Sequence, residues 1–350
     1  MKILRLSLLL LPLLATVTQA QVTTDPVGFV TINVTGNAGS GQPVYTFATL
    51  GMYNSVSYQS TTTSVGGSST LVDASATWAD NAYNGAGGQI SYYVEISSGP
   101  GAGTTYDITG TTAASKSLTL GQPLAASITT GASYRIRPHW TLATVFGATN
   151  QNGLAGGNSS GADQILIFSN ATQGYTTYYY QTSGFGGVGW RKSGAPTVDA
   201  SASVIYPDDG FIIVRKQSAD VALTIAGAVK TGQSSIPVPA GYNLLGNVYA
   251  TSMTFASSGL YTGDSATGVA GGNSTSADQV LIWNPAVTGY DTYYYQTSGF
   301  GGTGWRKSGA PTVDAGTASI PTGAALFVNR RASTGTGFDW VAPQHPASFN

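Results

Sequence analysis

Residues 155–200 and 270–315 align without a gap at an offset of 115, and about 36 of their 46 positions are identical. The chain therefore carries one sequence unit twice, and any fold for it must place the same segment in two positions. Each copy passes through Ala-Gly-Gly-Asn-Ser and Ala-Asp-Gln into a short apolar run. That run is Ile165-Leu166-Ile167-Phe168 in the first copy and Val280-Leu281-Ile282-Trp283 in the second. Tyr-Tyr-Tyr-Gln-Thr-Ser-Gly-Phe-Gly-Gly follows, then one variable residue and Gly-Trp-Arg-Lys-Ser-Gly-Ala-Pro-Thr-Val-Asp-Ala. Short apolar runs bounded by turn residues have the length of buried strands, and nowhere do apolar residues keep a helical period for three turns. The expected fold class is all-β: two duplicated β-sandwich-like domains, with a small β-module inserted in the first.

The insertion is read from fainter echoes upstream. Leu223, Thr224, Ile225, Leu245 and Gly246 echo Val30, Thr31, Ile32, Leu50 and Gly51. Gly246 is followed almost at once by Ala250 and Thr251, whereas the matching Ala143 and Thr144 arrive about 90 residues after Gly51. The expected division is a leader over 1–20, a first repeat domain over 21–52 and 140–221, an inserted module over 53–139, a second repeat domain over 222–340, and a loose tail over 341–350. Strands are expected in the insert over 90–96, 105–109, 117–120 and 134–137, with a glycine-rich hairpin connection at 97–103.

The leader has a basic start with Lys2 and Arg5, an apolar stretch over 6–15, and small residues before a cut expected after Ala20. It predicts a secreted protein, whether extracellular, on the cell surface or periplasmic. The stretch is about half the roughly 20 residues that a membrane helix needs, and 341–350 hold neither an apolar tail nor the alternating last strand of an outer-membrane barrel. No membrane span is expected.

Loss of Lys2 and Arg5 leaves 12 basic against 15 acidic side chains, so nucleic acid and other polyanions are not expected partners. With only 8% charged residues, the surface must be kept soluble by hydroxyls and amides. A cysteine count of zero excludes a disulfide scaffold, a thiolate nucleophile and a zinc ribbon, so stability must come from a packed core.

The start Thr24-Asp25-Pro26-Val27-Gly28-Phe29-Val30, the triple-tyrosine strand and the Trp-Arg-Lys block resemble an uncharacterised family of secreted bacterial β-proteins, over most of the mature chain. The insert, with Ser98-Gly99-Pro100-Gly101-Ala102-Gly103 and Ser117-Leu118-Thr119-Leu120, is similar to small β-modules of phage tail and surface proteins. Neither resemblance implies an activity.

The repeated hairpin supplies the candidate site residues: Tyr178, Tyr180, Trp190 and Arg191, and their twins Tyr293, Tyr295, Trp305 and Arg306. Alternate side chains on a strand share a face, so one face must hold more than one aromatic. Such a face is either a platform on which a sugar ring stacks, with guanidinium groups at its rim, or a core stabilised by cross-strand aromatic pairs. Comparable exposure is expected at Trp190 and Trp305.

Asp163 and Asp278 offer one carboxylate per loop, in a spacing that fits no calcium motif, and are read as turn residues. The basic pairs Arg215-Lys216 and Arg330-Arg331 are read as solvated charge protecting a sheet edge. One glutamate, Glu95, and two histidines, His139 and His345, accompany no nucleophile elbow, and the recurring aspartates sit in turn-like sequence. No catalytic residue, metal or cofactor is assigned, and the chain is not expected to be an enzyme. Two readings remain: a non-catalytic structural or cell-surface protein that self-associates through β-edges and aromatic faces, or a protein with two equivalent aromatic sites for an extracellular glycan.

Overall fold

A computed structural model describes residues 25–85, 90–331 and 333–343; the leader, His345 and most of the expected tail lie outside them. The chain opens with β1 (Val27–Val34) and β2 (Val44–Thr49). It continues through β3 (Tyr58–Thr61), β4 (Thr70–Val72), β5 (Tyr92–Ile96), β6 (Thr105–Thr112), β7 (Ser117–Leu120) and β8 (Ser133–Pro138). Next come β9 (Trp140–Thr141), helix α1 (Leu142–Phe146), β10 (Gln164–Ser169), β11 (Gly174–Gln181), β12 (Gly189–Lys192), β13 (Ala195–Asp199), β14 (Val204–Ile205), β15 (Gly210–Arg215) and β16 (Val221–Ala228). The remainder is β17 (Ser234–Pro239), β18 (Gly241–Gly246), β19 (Met253–Thr254), β20 (Gln279–Asn284), β21 (Gly289–Gln296), β22 (Gly304–Lys307), β23 (Ser319–Ile320), β24 (Ala325–Arg330) and β25 (Gly337–Ala342). The fold is all-β, as the strand-length runs imply.

Two sheets organise the molecule. One has the order β13-β12-β11-β10-β15-β2 and the other β18-β24-β20-β21-β22. All six residues of β15 are buried because both of its faces are covered. Phe211 and Ile213 point into a core shared with the antiparallel ribbon β1-β16, while Ile212 and Val214 meet Leu244, Ala325 and Phe327 of the other sheet. A continuous apolar strand is what such two-sided burial requires.

The sheets therefore lie back to back, each with its own ribbon outside, β1-β16 on one side and β17-β25 on the other. Their contact is reciprocal: Thr49 N donates to Gly323 O at 3.0 Å, and Gly246 N donates to Asp208 O at 2.9 Å. Between the layers Phe47 stacks on Trp283 at 5.1 Å, and Phe168 meets Phe327 edge-on at 5.3 Å.

Strand pairing relocates the upstream echo. Leu223 and Ile225, read as counterparts of Val30 and Ile32, are instead cross-strand partners of Ile32 and Val30, respectively. Residues 221–228 thus belong with the first sheet, and β17 is the strand that stands to β25 as β1 stands to β16. Similarly, Thr49 opposes Gly210 while Gly246 opposes Ala325, which aligns Gly246 with Thr49 and not with Gly51. The capping box that opens α1, between Thr141 and Thr144, recurs between Thr254 and Ser257, so Ala143 and Thr144 correspond to Ala256 and Ser257.

Residues 58–138 carry a separate sheet of order β3-β8-β5-β6-β7-β4 around its own core, which includes Leu71, Val94, Ile108, Leu118, Tyr134 and Ile136. Thr63 N donates to Val72 O at 2.8 Å, joining the two edge strands into a nearly closed barrel. The barrel is held to the rest by buried charge. Glu95 pairs with Lys230 and lies 3.2 Å from Arg137, which also reaches Asp25. Burial by itself would raise the Glu95 carboxyl, but Lys230 and Arg137 hold it at about 2.

The first member of each basic pair is not a solvated edge charge, while Lys216 and Arg331 remain partly exposed. Arg215 and Arg330 end central strands and are buried against Asp163 and Asp278, respectively. Each aspartate also accepts two backbone N–H groups: Asp163 from Ala155 at 2.7 Å and Lys216 at 2.8 Å, Asp278 from Ala270 at 2.7 Å and Arg331 at 2.9 Å. The carboxylates fold their loops and are consumed in doing so.

Candidate functional site

In the hairpin β11-β12, Tyr180 opposes Trp190 and Tyr179 opposes Arg191; in β21-β22, Tyr295 opposes Trp305 and Tyr294 opposes Arg306. Trp190 is 1% exposed and Trp305 4%, so the two are equivalent and both lie in the core. Trp190 packs on Phe146 at 5.8 Å and donates Nε1–H to Gly147 O at 2.8 Å, and Trp305 packs on Phe255 at 4.8 Å. Tyr180 and Tyr295 lie edge-on to these indoles, while Tyr178 and Tyr293 are half-buried against the same cores. In each copy the two tyrosines and the tryptophan singled out in the sequence come together as a layer against the core and not as an open platform, while Arg191 and Arg306, opposite Tyr179 and Tyr294, lie on the other face. A two-stranded hairpin at a sheet margin must bury one aromatic face, and the core offers the larger apolar surface.

Arg191 and Arg306, expected at a ligand's rim, are buried under the hairpin turn. Arg191 donates to the carbonyls of Gly186 and Trp190, and Arg306 to those of Gly301 and Trp305. From the neighbouring position on the same face, Gln181 donates Nε2–H to Phe185 O at 2.7 Å and Gly187 O at 2.9 Å. Gln296 repeats both bonds at the same distances, to Phe300 O and Gly302 O. Gly186 lies at φ +90°, and a Cβ on it would sit 2.3 Å from Pro196 O, so only glycine lets the turn close down on β13.

These bonds hold a fixed loop whose tip faces solvent. Phe185 and Phe300 are each 90% exposed. Val188 and Val198 in the first copy and Val313 in the second are exposed as well. Sequence reasoning missed both phenylalanines. Their signal was a large apolar residue flanked by glycine on both sides, in a turn where no strand can carry it inward.

The tips stand on opposite flanks. Tip-bearing β12 is remote from β2 in the first sheet, while β2 packs through Phe47 on β20 and β21 of the second, beyond which lies β22 with the other tip. No protein-family model, curated protein or solved structure matches the chain.

Proposed function

We propose that this is a non-catalytic, secreted structural or cell-surface protein that joins copies of itself end to end through its two hairpin tips. The observation that carries the reading is the pair of phenylalanines at 90% exposure, each on a turn pinned from beneath by a buried glutamine and arginine. Exposing a phenylalanine to water is unfavourable, and fixing it there removes the freedom to fold it away, an arrangement suited to a contact made with another molecule. Two like contacts on opposite flanks extend an assembly where a single one would stop at a dimer. Each joint would bury a few hundred Å², well below the roughly 1,200–2,000 Å² of a stable interface, so assembly depends on many joints or high local concentration.

The glycan reading draws no support from the hairpin rings, since the tryptophans that it needs on the surface belong to the core. Among the described residues no helix is long and apolar enough to cross a membrane.

The test is sedimentation velocity and negative-stain microscopy of the purified protein over a concentration series. Linear, concentration-dependent assemblies are expected from the unaltered chain, dimers at most from Phe300→Ser, and monomers from Phe185→Ser with Phe300→Ser. Monomers of the unaltered protein at all concentrations, or assemblies unaffected by the double substitution, overturn the proposal.

A further inference from the structure

The inserted barrel, the first copy and the second copy meet around a cleft of about 640 Å³. One wall is a hydrogen-bonded chain that crosses the junction: Tyr206 Oη lies 2.9 Å from Asp107 Oδ2, and His139 Nε2 lies 2.9 Å from Asp107 Oδ1. An ionised carboxylate only accepts, so both neighbours donate to it. Nε2 of His139 therefore carries a proton toward Asp107. His139 is 4% exposed, and its Nδ1 has no hydrogen-bond partner among the described residues.

Asp208 and Asp209 occupy the same cleft. Among the described residues neither lies within ion-pair distance of a cation, whereas Glu95, the other acid of this junction beside Asp25 and Asp107, is paired twice. Burial pushes both carboxyls up, and for Asp209 the charge of Asp208 adds to it. Among the described residues no lysine or arginine lines the cleft, and Pro237 and Pro239 of β17 give its lining an apolar part.

We propose that the cleft binds an alkylammonium group, with the ammonium between Asp208 and Asp209 and its methylene stem along Pro237 and Pro239. A primary ammonium brings a positive charge and three N–H donors to two neighbouring carboxylates that have no cation within ion-pair distance among the described residues, and its stem suits the prolines of the lining. A bare metal ion fits less well, because among the described residues no group of three potential ligands stands close enough to hold one. The ammonium can come from a small free amine or from a lysine side chain of another polypeptide.

Calorimetric titration of the purified protein with 1,5-diaminopentane, with a Gly-Lys-Gly peptide blocked at both ends, and with 1-pentanol as uncharged control tests the assignment. At least one amine is expected to bind and pentanol to give no heat, with affinity falling tenfold or more in Asp209→Asn. Hydrogen exchange of the unaltered protein is expected to slow over 105–109 and 206–209 when the amine is present, a readout that needs no substitution. Binding of the diamine alone assigns a small free amine, and binding of the peptide assigns a lysine-bearing partner. Failure of both amines to bind, unchanged affinity in Asp209→Asn, or protection confined to other segments overturns the proposal.

Discussion

The side-chain amide of Gln181 donates to the carbonyl of Phe185, the residue whose ring it holds in solvent, at 2.7 Å; Gln296 and Phe300 repeat the bond at 2.7 Å. Each glutamine is 4% exposed and ends its strand, so the turn is built on a support that cannot swing. Gln181→Ala and Gln296→Ala are each expected to cost about 0.5–1.5 kcal/mol, because the loop carbonyls lose donors that reach them from the buried side. Amide exchange over 184–188 or 299–303 should accelerate, and assembly should weaken although both phenylalanines remain. Unchanged exchange in the loops would show that the glycines alone set their shape.

Truncating the indoles tests the core assignment directly. Trp190→Ala and Trp305→Ala are each expected to lower the unfolding free energy by about 3–5 kcal/mol, measured by denaturant titration, because each empties a cavity in a packed layer. A loss below 1 kcal/mol at either position would return the hairpin to the surface.

How much of this was legible in the sequence depends on how far each signal reached. The gapless copy gave the strands around Ile165, Tyr178 and Trp190 and their twins, since 36 shared residues leave no freedom of register. Upstream, only alternating Val, Thr and Ile remained, and any two such strands look alike. The chain's own partner, Leu223 to Ile225, was therefore mistaken for a copy of Val30 to Ile32. Arg215 and Arg330 were misjudged for a related reason: a basic residue at a strand end reads as solvated until the aspartate that pairs with it, 52 positions earlier, is brought alongside by β10 and β20. The cleft was illegible in the same way. Asp107 of β6, His139 between β8 and β9, and Tyr206 and Asp209 between β14 and β15 converge only when the barrel docks.

Arg215→Ala and Arg330→Ala each leave an aspartate buried without its cation. Breaking such a pair typically costs about 3–5 kcal/mol, and a loss in that range is expected for both in thermal or denaturant unfolding. Replacing both partners by apolar residues should be less harmful than removing the arginine alone. If the single substitutions prove neutral, the two backbone N–H bonds on each aspartate suffice to hold it.

The Glu95 network makes the barrel junction acid-sensitive. Because the folded carboxyl sits at about 2, below its ordinary value of 4.5, its contribution is complete above pH 4.5 and is lost as pH falls toward 2. Asp73 is also held at about 2; its burial is outweighed by hydrogen bonds from Ser75 and Tyr134, so it adds to the loss in nearly the same window. For Glu95 the amount is on the order of 3 kcal/mol. In Glu95→Gln, stability at pH 7 should be lower, with Lys230 left without a carboxylate and Arg137 with Asp25 alone, and the fall between pH 4.5 and 2 should be shallower. An equally steep fall in the variant would place the acid sensitivity elsewhere.

Asp209 carries the opposite sign. Its carboxyl is pushed up by burial and by Asp208, so the folded chain holds a proton that the unfolded chain has already released. Where the folded state binds more protons, stability falls as pH rises, beginning near the ordinary aspartate value of 3.8 and ending once the folded carboxyl has ionised. Asparagine keeps the shape and carries no charge to desolvate. Asp209→Asn should therefore melt with the unaltered protein at pH 3 and above it at pH 7, the gap opening between the two. The stabilised variant should also be the one that has lost amine binding, since the repulsion that weakens the fold is what an ammonium relieves. Saturating diaminopentane should raise the melting temperature of the unaltered protein at pH 7 and leave Asp209→Asn where it is. Equal melting of the two proteins at both pH values would mean that water at the cleft mouth already solvates the carboxylate, and the stability argument for the site would fail.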